Sequence, residues 1–269
     1  MLGLVVLGLV QGLTEFLPVS STAHLLFAEH YLGIARPGLV LEAVLHLGTA
    51  AAAAAMFWPD VARLGRTALA LIGRPTGEGQ AEDRRLLVAI TVATAVTAGV
   101  GLLGEAWLEG LFGTGPRLVR ATAGQLMITG LILLWTRERG ARLATDVRWH
   151  EGIALGVAQA VAIIPGISRS GTTIVTGLLL GLRRAEAARF SFLMAIPAIV
   201  GAGIFSLKDL GQAAGLGLRP GALALGGLVA AVSGGLAIAW LLDIVRRGRL
   251  VWFSAYCWAV AAAVLLTVR

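Results

Sequence analysis

The stretch Gln11-Gly-Leu-Thr-Glu15-Phe-Leu-Pro18-Val-Ser20-Ser21-Thr22-Ala-His24 sets polar and charged groups inside an apolar run. A counterpart lies further along: Pro165-Gly166-Ile-Ser168-Arg169-Ser170-Gly-Thr172-Thr173. In each, an apolar segment halts at a proline and restarts with Ser and Thr, the residues that cap helix N-termini. The pieces on either side of a break hold about 12–16 residues, roughly 18–24 Å of helix, against a hydrocarbon core of ~30 Å. Residues 1–33 and 151–182 are therefore predicted to form two helical hairpins. Each enters a bilayer, turns at mid-depth and leaves on the side it came from. Irregular backbone at that depth requires protein or a polar cavity around it.

The remainder supports a membrane setting. The chain has 269 residues, of which 57% are hydrophobic and 14% charged, and its mean hydropathy is +0.84. That is too little polar surface for a soluble domain. Continuous apolar runs near 39–58, 86–104, 118–136, 190–206, 220–243 and 250–268 are predicted to be full transmembrane helices. They do not alternate as the strands of an outer-membrane barrel do. The fold class is thus all-α and polytopic, with six spans and two re-entrant hairpins in one integral domain, 1–269. The order hairpin, three spans, hairpin, three spans is an internal repeat, about 1–136 and 150–269. Both breaks follow a Gly-x-x-Gln pattern, at Gly8 to Gln11 and at Gly156 to Gln159. Three crossings end opposite their start, so the second copy is inverted and the hairpins meet near the midplane.

Charge gives the orientation. The loops 59–85, 137–150, 183–189 and 246–249 share one face and carry 15 of the Lys and Arg residues, against 6 on the other face. The arginine-rich face is cytoplasmic by the positive-inside rule. Trp58, Trp107, Trp135, Trp149 and Trp252 fall at span ends, as interfacial anchors do. The net charge of +7 is spent in those short loops, which argues against nucleic-acid binding. The single Cys257 excludes an internal disulfide.

Ionisable groups at membrane depth are costly and mark function. Gln11 and Glu15 share a helix face. The Glu15 carboxylate can orient water, accept a proton or hold a divalent cation. Ser20, Ser21 and Thr22 open the second arm, and His24 lies within reach of Ser21 on a helix. That pair can make a hydroxyl nucleophilic; His24 could also attack phosphorus itself or protonate a leaving group. Arg169 is suited to phosphate oxygens, either free or exchanging with a Glu15 partner. Gly166, Ser168, Ser170, Thr172 and Thr173 around it form the type of backbone nest that cradles an anion. Two helix N-termini add their own attraction for negative charge. Glu42 and His46, four residues apart in the next span, are either partners of this group or helix glue.

These two motifs resemble those of the undecaprenyl-diphosphate phosphatases, the bacitracin-resistance family. Gln11-x-x-x-Glu15 with Phe-Leu-Pro-Val-Ser-Ser-Thr-x-His is similar to the family's (Glu/Gln)-x-x-x-Glu region, and the segment 165–173 to its Pro-Gly-x-Ser-Arg-Ser-x-x-Thr signature. Leu45-His46-Leu-Gly-Thr49 is similar as well. The resemblance implies an inner-membrane enzyme that removes the terminal phosphate of undecaprenyl diphosphate, a prenyl diphosphate lipid, for cell-wall carrier recycling. It implies roles for Glu15, Ser21, His24, Arg169 and Thr173. It also implies a divalent cation, Mg2+ or Ca2+, not tightly held by the protein, and with Glu15 as its contact. Gln11 stands at a position where the family also has an acid, and an amide can act as neither base nor full counter-charge. The attacking group stays open among Ser21, His24 and water, and a homodimer is compatible with this reading. The rival reading is a lipid-phosphate flippase or anion transporter, since inverted repeats with broken helices also build those.

Overall fold

The computed structural model describes residues 2–34, 39–73, 80–112, 114–137, 140–206 and 220–268. Eleven α-helices occupy these residues: α1 (Leu2–Glu15), α2 (Ser21–Leu32), α3 (Leu39–Met56), α4 (Trp58–Gly73), α5 (Gln80–Phe112), α6 (Gly115–Ile132), α7 (Trp149–Val161), α8 (Arg169–Leu179), α9 (Arg184–Ser206), α10 (Pro220–Arg246) and α11 (Trp252–Thr267). The protein is an all-α, multi-pass membrane protein. Both short hairpins are present as α1–α2 and α7–α8, and the two arms of each pack on one another. With 14, 12, 13 and 11 residues, none of the four arms reaches across ~30 Å of hydrocarbon at 1.5 Å per residue.

The full spans differ in detail from the expected six. Ala81–Gly104, Gly115–Trp135, Arg184–Ser206 and Pro220–Arg246 are long and apolar enough to cross, and a bent pair, Val40–Met56 with Trp58–Leu71, makes a fifth. The run near 250–268 forms α11 of only 16 residues, short by that measure. The chain turns by 90° between α3 and α4. Much of the loop expected over 59–85 is thus helix α4. Its arginines hide an amphipathic period, with Leu64 buried in the core and Leu69 exposed, and Pro59 sits at the first turn where a missing N–H costs nothing. The loop expected over 183–189 is largely the first turns of α9. There Arg189 grips Asp60 of α4 with Nε on Oδ2 at 2.9 Å and Nη2 on Oδ1 at 2.5 Å. Trp58, Trp135, Trp149 and Trp252 are exposed at helix ends. The side chain of Trp107, and Arg36, Arg74, Arg139, Lys208, Arg219 and Arg269, lie outside the described residues.

The two hairpins are held by the opposite half of the chain. Helix α1 packs on α10, and α7 on α5. Both contacts are glycine seams. A Cβ on Gly8 would come within 2.7 Å of Gly226 O, and one on Gly12 within 2.6 Å of Ala230 O. Across the molecule, a Cβ on Gly152 would lie 2.6 Å from Ala89 O and one on Gly156 2.7 Å from Ala93 O. Small residues let helix backbones approach this closely in lipid. The hydroxyls repeat too: Thr97 of α5 donates to Gly156 O at 3.1 Å, and Ser233 of α10 reaches Gly8 O at 3.5 Å. Helices α6 and α11 pack together beneath the turns. Thr129 of α6 donates to Gly166 O at 2.8 Å and accepts from Ser168 N at 3.0 Å. Cys257 of α11 reaches Pro18 O at 3.8 Å.

One arginine closes the base of the second hairpin. The guanidinium of Arg142 pairs with both oxygens of Glu151, at 2.6 and 2.8 Å, on the first turn of α7. It also donates to Leu180 O just past α8 and to Asp146 O, both at 2.8 Å. Both legs of the hairpin are thereby tied to the segment joining the two halves.

Gly12→Ala should force α1 from α10, because the new methyl meets backbone that cannot rotate away. A loss of about 1–3 kcal/mol is expected from such overpacking, read as a lower thermal unfolding midpoint in detergent. Gly99→Ala, where a Cβ meets nothing within 4 Å, should leave the midpoint nearly unchanged.

Candidate active site

The turns of the two hairpins touch. Ser170 at the start of α8 donates to Leu17 O in the first turn, at 3.0 Å. The first residues of the two second arms, Ser21 and Arg169, converge on the last residue of α1, Glu15. Arg169 Nη2 donates to Glu15 Oε1. The other carboxylate oxygen accepts from Gln11 Nε2 at 2.8 Å and from Ser21 Oγ at 2.5 Å. His46 Nε2 of α3 stands 3.6 Å from that same oxygen. The side chain of Glu15 is 3% exposed and that of Arg169 17%. A buried carboxylate demands such partners, since the desolvated ion would otherwise be far too costly.

The group faces a cavity of about 380 Å³. Glu15, Ser20, Ser21, Thr22, Glu42, His46, Thr97, Gln159, Ser168 and Arg169 line it, with an apolar wall from Ile163, Ile167, Ala198 and Ile199. Arg169 Nη1 is buried without a hydrogen-bond partner, as are Gln11 Oε1 and Gln159 Oε1. Arg169 thus keeps a donor nitrogen beyond the one bonded to Glu15, and a guanidinium binds an anion's oxygens through such donors.

Local backbone explains how the side chains arrive. Ser20 caps α2 at φ 65, ψ 98 and is the only non-glycine residue with positive φ among the described residues. Such a conformation costs on the order of 1–3 kcal/mol and persists only where neighbours enforce it. Its Oγ accepts from Ala23 N at 3.4 Å, and its carbonyl accepts from His24 Nδ1 at 2.9 Å. In the second hairpin Gly166 adopts φ 94, and a Cβ there would strike Thr122 O at 2.4 Å. Ser168 caps α8 through Gly171 N at 3.1 Å.

Several expected site residues lie elsewhere. His24 does not line the cavity and does not meet Ser21. Its Nδ1 is taken by Ser20 O and its Nε2 lies 2.9 Å from Tyr256 OH, with the two rings stacked 5.6 Å apart. Ser21 turns instead to the carboxylate, because a charged acceptor makes the stronger bond. Thr173 is fully buried; its hydroxyl bonds Arg169 O at 2.7 Å and Ser191 Oγ at 2.6 Å. Thr172 back-bonds to Ser168 O at 3.0 Å, and Ser170 is spent on Leu17 O. Gly166 abuts α6, and Gln11 reaches Glu15 without lining the cavity. The intended nest thus reduces to Ser168 and Arg169 at the wall. His46 joins the group, as one of its two readings had it. Thr97 and Gln159, joined at 3.1 Å, are cavity residues that sequence reasoning missed. The repeated Gly-x-x-Gln pattern was the signal for Gln159.

A divalent cation was expected to touch Glu15. Around that carboxylate a guanidinium takes one oxygen, and an amide NH2 and a hydroxyl share the other. The one other carboxylate on the cavity wall among the described residues is Glu42, and no group of three or more His, Cys, Asp or Glu side chains suited to a metal occurs among them. These residues do not form a resident cation site of the six-oxygen kind that Mg2+ or Ca2+ requires.

A buried acid–arginine junction between two serine-capped hairpins is thus in place. A family model described as "Bacitracin resistance protein BacA" matches residues 4–263. The chain belongs to the BacA family. Similar curated proteins carry the name undecaprenyl-diphosphatase. That of Myxococcus xanthus is 44% identical over 98% of this chain and 87% of its own length. That of Desulfatibacillum aliphaticivorans is 40% identical over 98% of both, and that of Moorella thermoacetica 42% identical over 97% and 95%. Among BacA proteins the match therefore extends through both hairpins and all the long helices.

Arg169→Ala should leave Glu15 buried without its cation and lower stability by on the order of 3 kcal/mol. Adding Glu15→Gln to that variant should recover a large part of the loss, since the stranded charge is then gone. Thermal unfolding of the two single variants and the double would read the coupling; additive losses would mean that the pair contributes no coupled stability.

Proposed function

We propose that this protein is an undecaprenyl-diphosphate phosphatase, releasing inorganic phosphate and leaving undecaprenyl monophosphate. The observation that carries this is the shared carboxylate: Ser21 Oγ on one oxygen of Glu15 and Arg169 on the other, with an unpaired Arg169 nitrogen beside the cavity. Family membership and the names of the relatives support the same substrate.

Glu15 is set to act as base. Ser21 already points its proton at Glu15 Oε2. As the terminal phosphoryl enters, Arg169 takes its oxygens and stabilises the charge of the transition state. The Ser21 proton passes to Glu15, the Oγ–P bond forms, and the bond to the bridging oxygen breaks, releasing the lipid monophosphate. Glu15 gives that proton to the departing lipid monophosphate; the freed carboxylate then takes a proton from the water that attacks the phosphoserine and returns it to Ser21 Oγ as the Oγ–P bond breaks. His24 supports the Ser20 turn rather than attacking. A divalent cation, as the family resemblance implies, would accompany the diphosphate rather than reside on the chain. The apolar tail lies between helices in the bilayer, the arginine-rich loops face the cytoplasm, and the membrane is the bacterial inner membrane. Glu15, Ser21 and Arg169 come from one chain, so a second copy adds nothing to this chemistry.

Purified protein in detergent should release phosphate from prenyl diphosphate, which a flippase or anion transporter without hydrolytic activity would not do. Ser21→Ala should cost at least about 10³-fold in kcat, in the range for removal of an attacking group, and a ³²P-phosphoserine should be trapped on the wild type by acid quench. A Ser21→Ala enzyme that keeps its rate would assign the attack to water held by Glu15. Titration calorimetry with Mg2+ or Ca2+ alone should show no tight site, whereas either ion added with a non-hydrolysable diphosphate should bind.

A further inference from the structure

A second cavity lies on the other side of the first hairpin. It holds about 650 Å³, more than the catalytic cavity. Its floor is the hairpin itself, through Leu13, Leu17 and Val19, and its walls are α10 and α11. No residue is shared with the Glu15–Arg169 cavity. From Trp240 to Arg247 along α10 the wall runs about 10 Å at 1.5 Å per residue.

The cavity is apolar at depth and cationic at one end. Ile244, Trp240 and Phe253 form the apolar wall, with the last two rings edge to face at 6.2 Å. At the mouth Arg247 is satisfied by Asp243 at 2.8 Å. Arg249 is not paired with any carboxylate among the described residues. Its guanidinium instead lies over the Trp252 ring, 5.2 Å from the centroid. Stacking holds the plane of an arginine while leaving its donors open. Arg247 and Arg249 face the single Asp243 at the mouth, which leaves an excess of one positive charge there.

We propose that this cavity is a binding site for an anionic phospholipid of the bilayer. Its phosphate takes the Arg249 fork and one acyl chain lies along Trp240, Ile244 and Phe253 down to Leu17 and Val19. The charge excess selects an anionic over a zwitterionic head, as basic pockets at membrane surfaces do. The same lipid packs against the back of the turn that holds Ser20 at its strained φ. It also packs on Tyr256, whose hydroxyl lies 2.9 Å from His24. That gives His24 of the first motif a purpose outside the catalytic cavity. It couples the lipid-lined wall to the Ser20 carbonyl.

Native mass spectrometry of the full-length protein, offered phosphatidylglycerol and phosphatidylethanolamine in equal amounts, tests the site without using activity. The wild type should retain phosphatidylglycerol over phosphatidylethanolamine by about fivefold, the scale of one charge-assisted contact, and the bound lipid should raise the unfolding midpoint. Arg249→Ala, at an exposed position, should remove the preference and keep the fold. Ile244→Trp should fill the cavity and lower retention of both lipids. Equal retention of the two lipids by the wild type, or an unchanged preference in Arg249→Ala, would overturn the proposal. Displacement of the phosphatidylglycerol by equimolar prenyl monophosphate would also overturn it, assigning the cavity to the reaction product.

Discussion

A buried carboxylate and a buried guanidinium are each expensive, and here they meet where the turns of the two hairpins touch. Glu15 ends one helix and Arg169 begins another, so neither charge can be satisfied by its own hairpin. The pair makes the junction of the two halves an electrostatic necessity rather than a packing preference. It also holds the guanidinium in place, its desolvation already met on folding.

The scaffold around that junction is nearly two-fold in its devices but not in its chemistry. Gly8 and Gly156 seat the first arms, Ser233 and Thr97 bond them, and Ser20 and Ser168 cap the second arms. What differs is the side chain each second arm presents to the junction. Each second arm opens with a residue that reaches Glu15, a hydroxyl in one and a guanidinium in the other. Two similarly built helix starts thus present different groups to one carboxylate.

Much of this was legible because lipid punishes polar groups. A lone Arg169 between apolar segments, or Glu15 four residues after Gln11, admits few explanations. The prolines and serine caps marked the breaks, and both hairpins are found there with arms too short to span. Side-chain direction was not legible. His24 sits one turn from Ser21, and only the strained carbonyl of Ser20 and the presence of Tyr256, over two hundred residues away, decide where its ring goes. Thr173 looked like a site residue because it sits one turn beyond Arg169, yet Ser191 of α9 claims it. Helix α4 was hidden because its arginines outweigh its amphipathic period, and the residue that ties it to α9, Asp60, is itself a charge.

The crossed arrangement of glycine seams bears on biosynthesis. Helix α1 is synthesised before α10, yet the surface that receives Gly8 and Gly12 belongs to α10, more than two hundred residues later in the chain. The first hairpin must therefore wait for Arg169 to match Glu15, and longer still for α10 to seat α1. An insertion intermediate of this kind is a natural client for a membrane chaperone, and neither half, made alone, could complete its own interior.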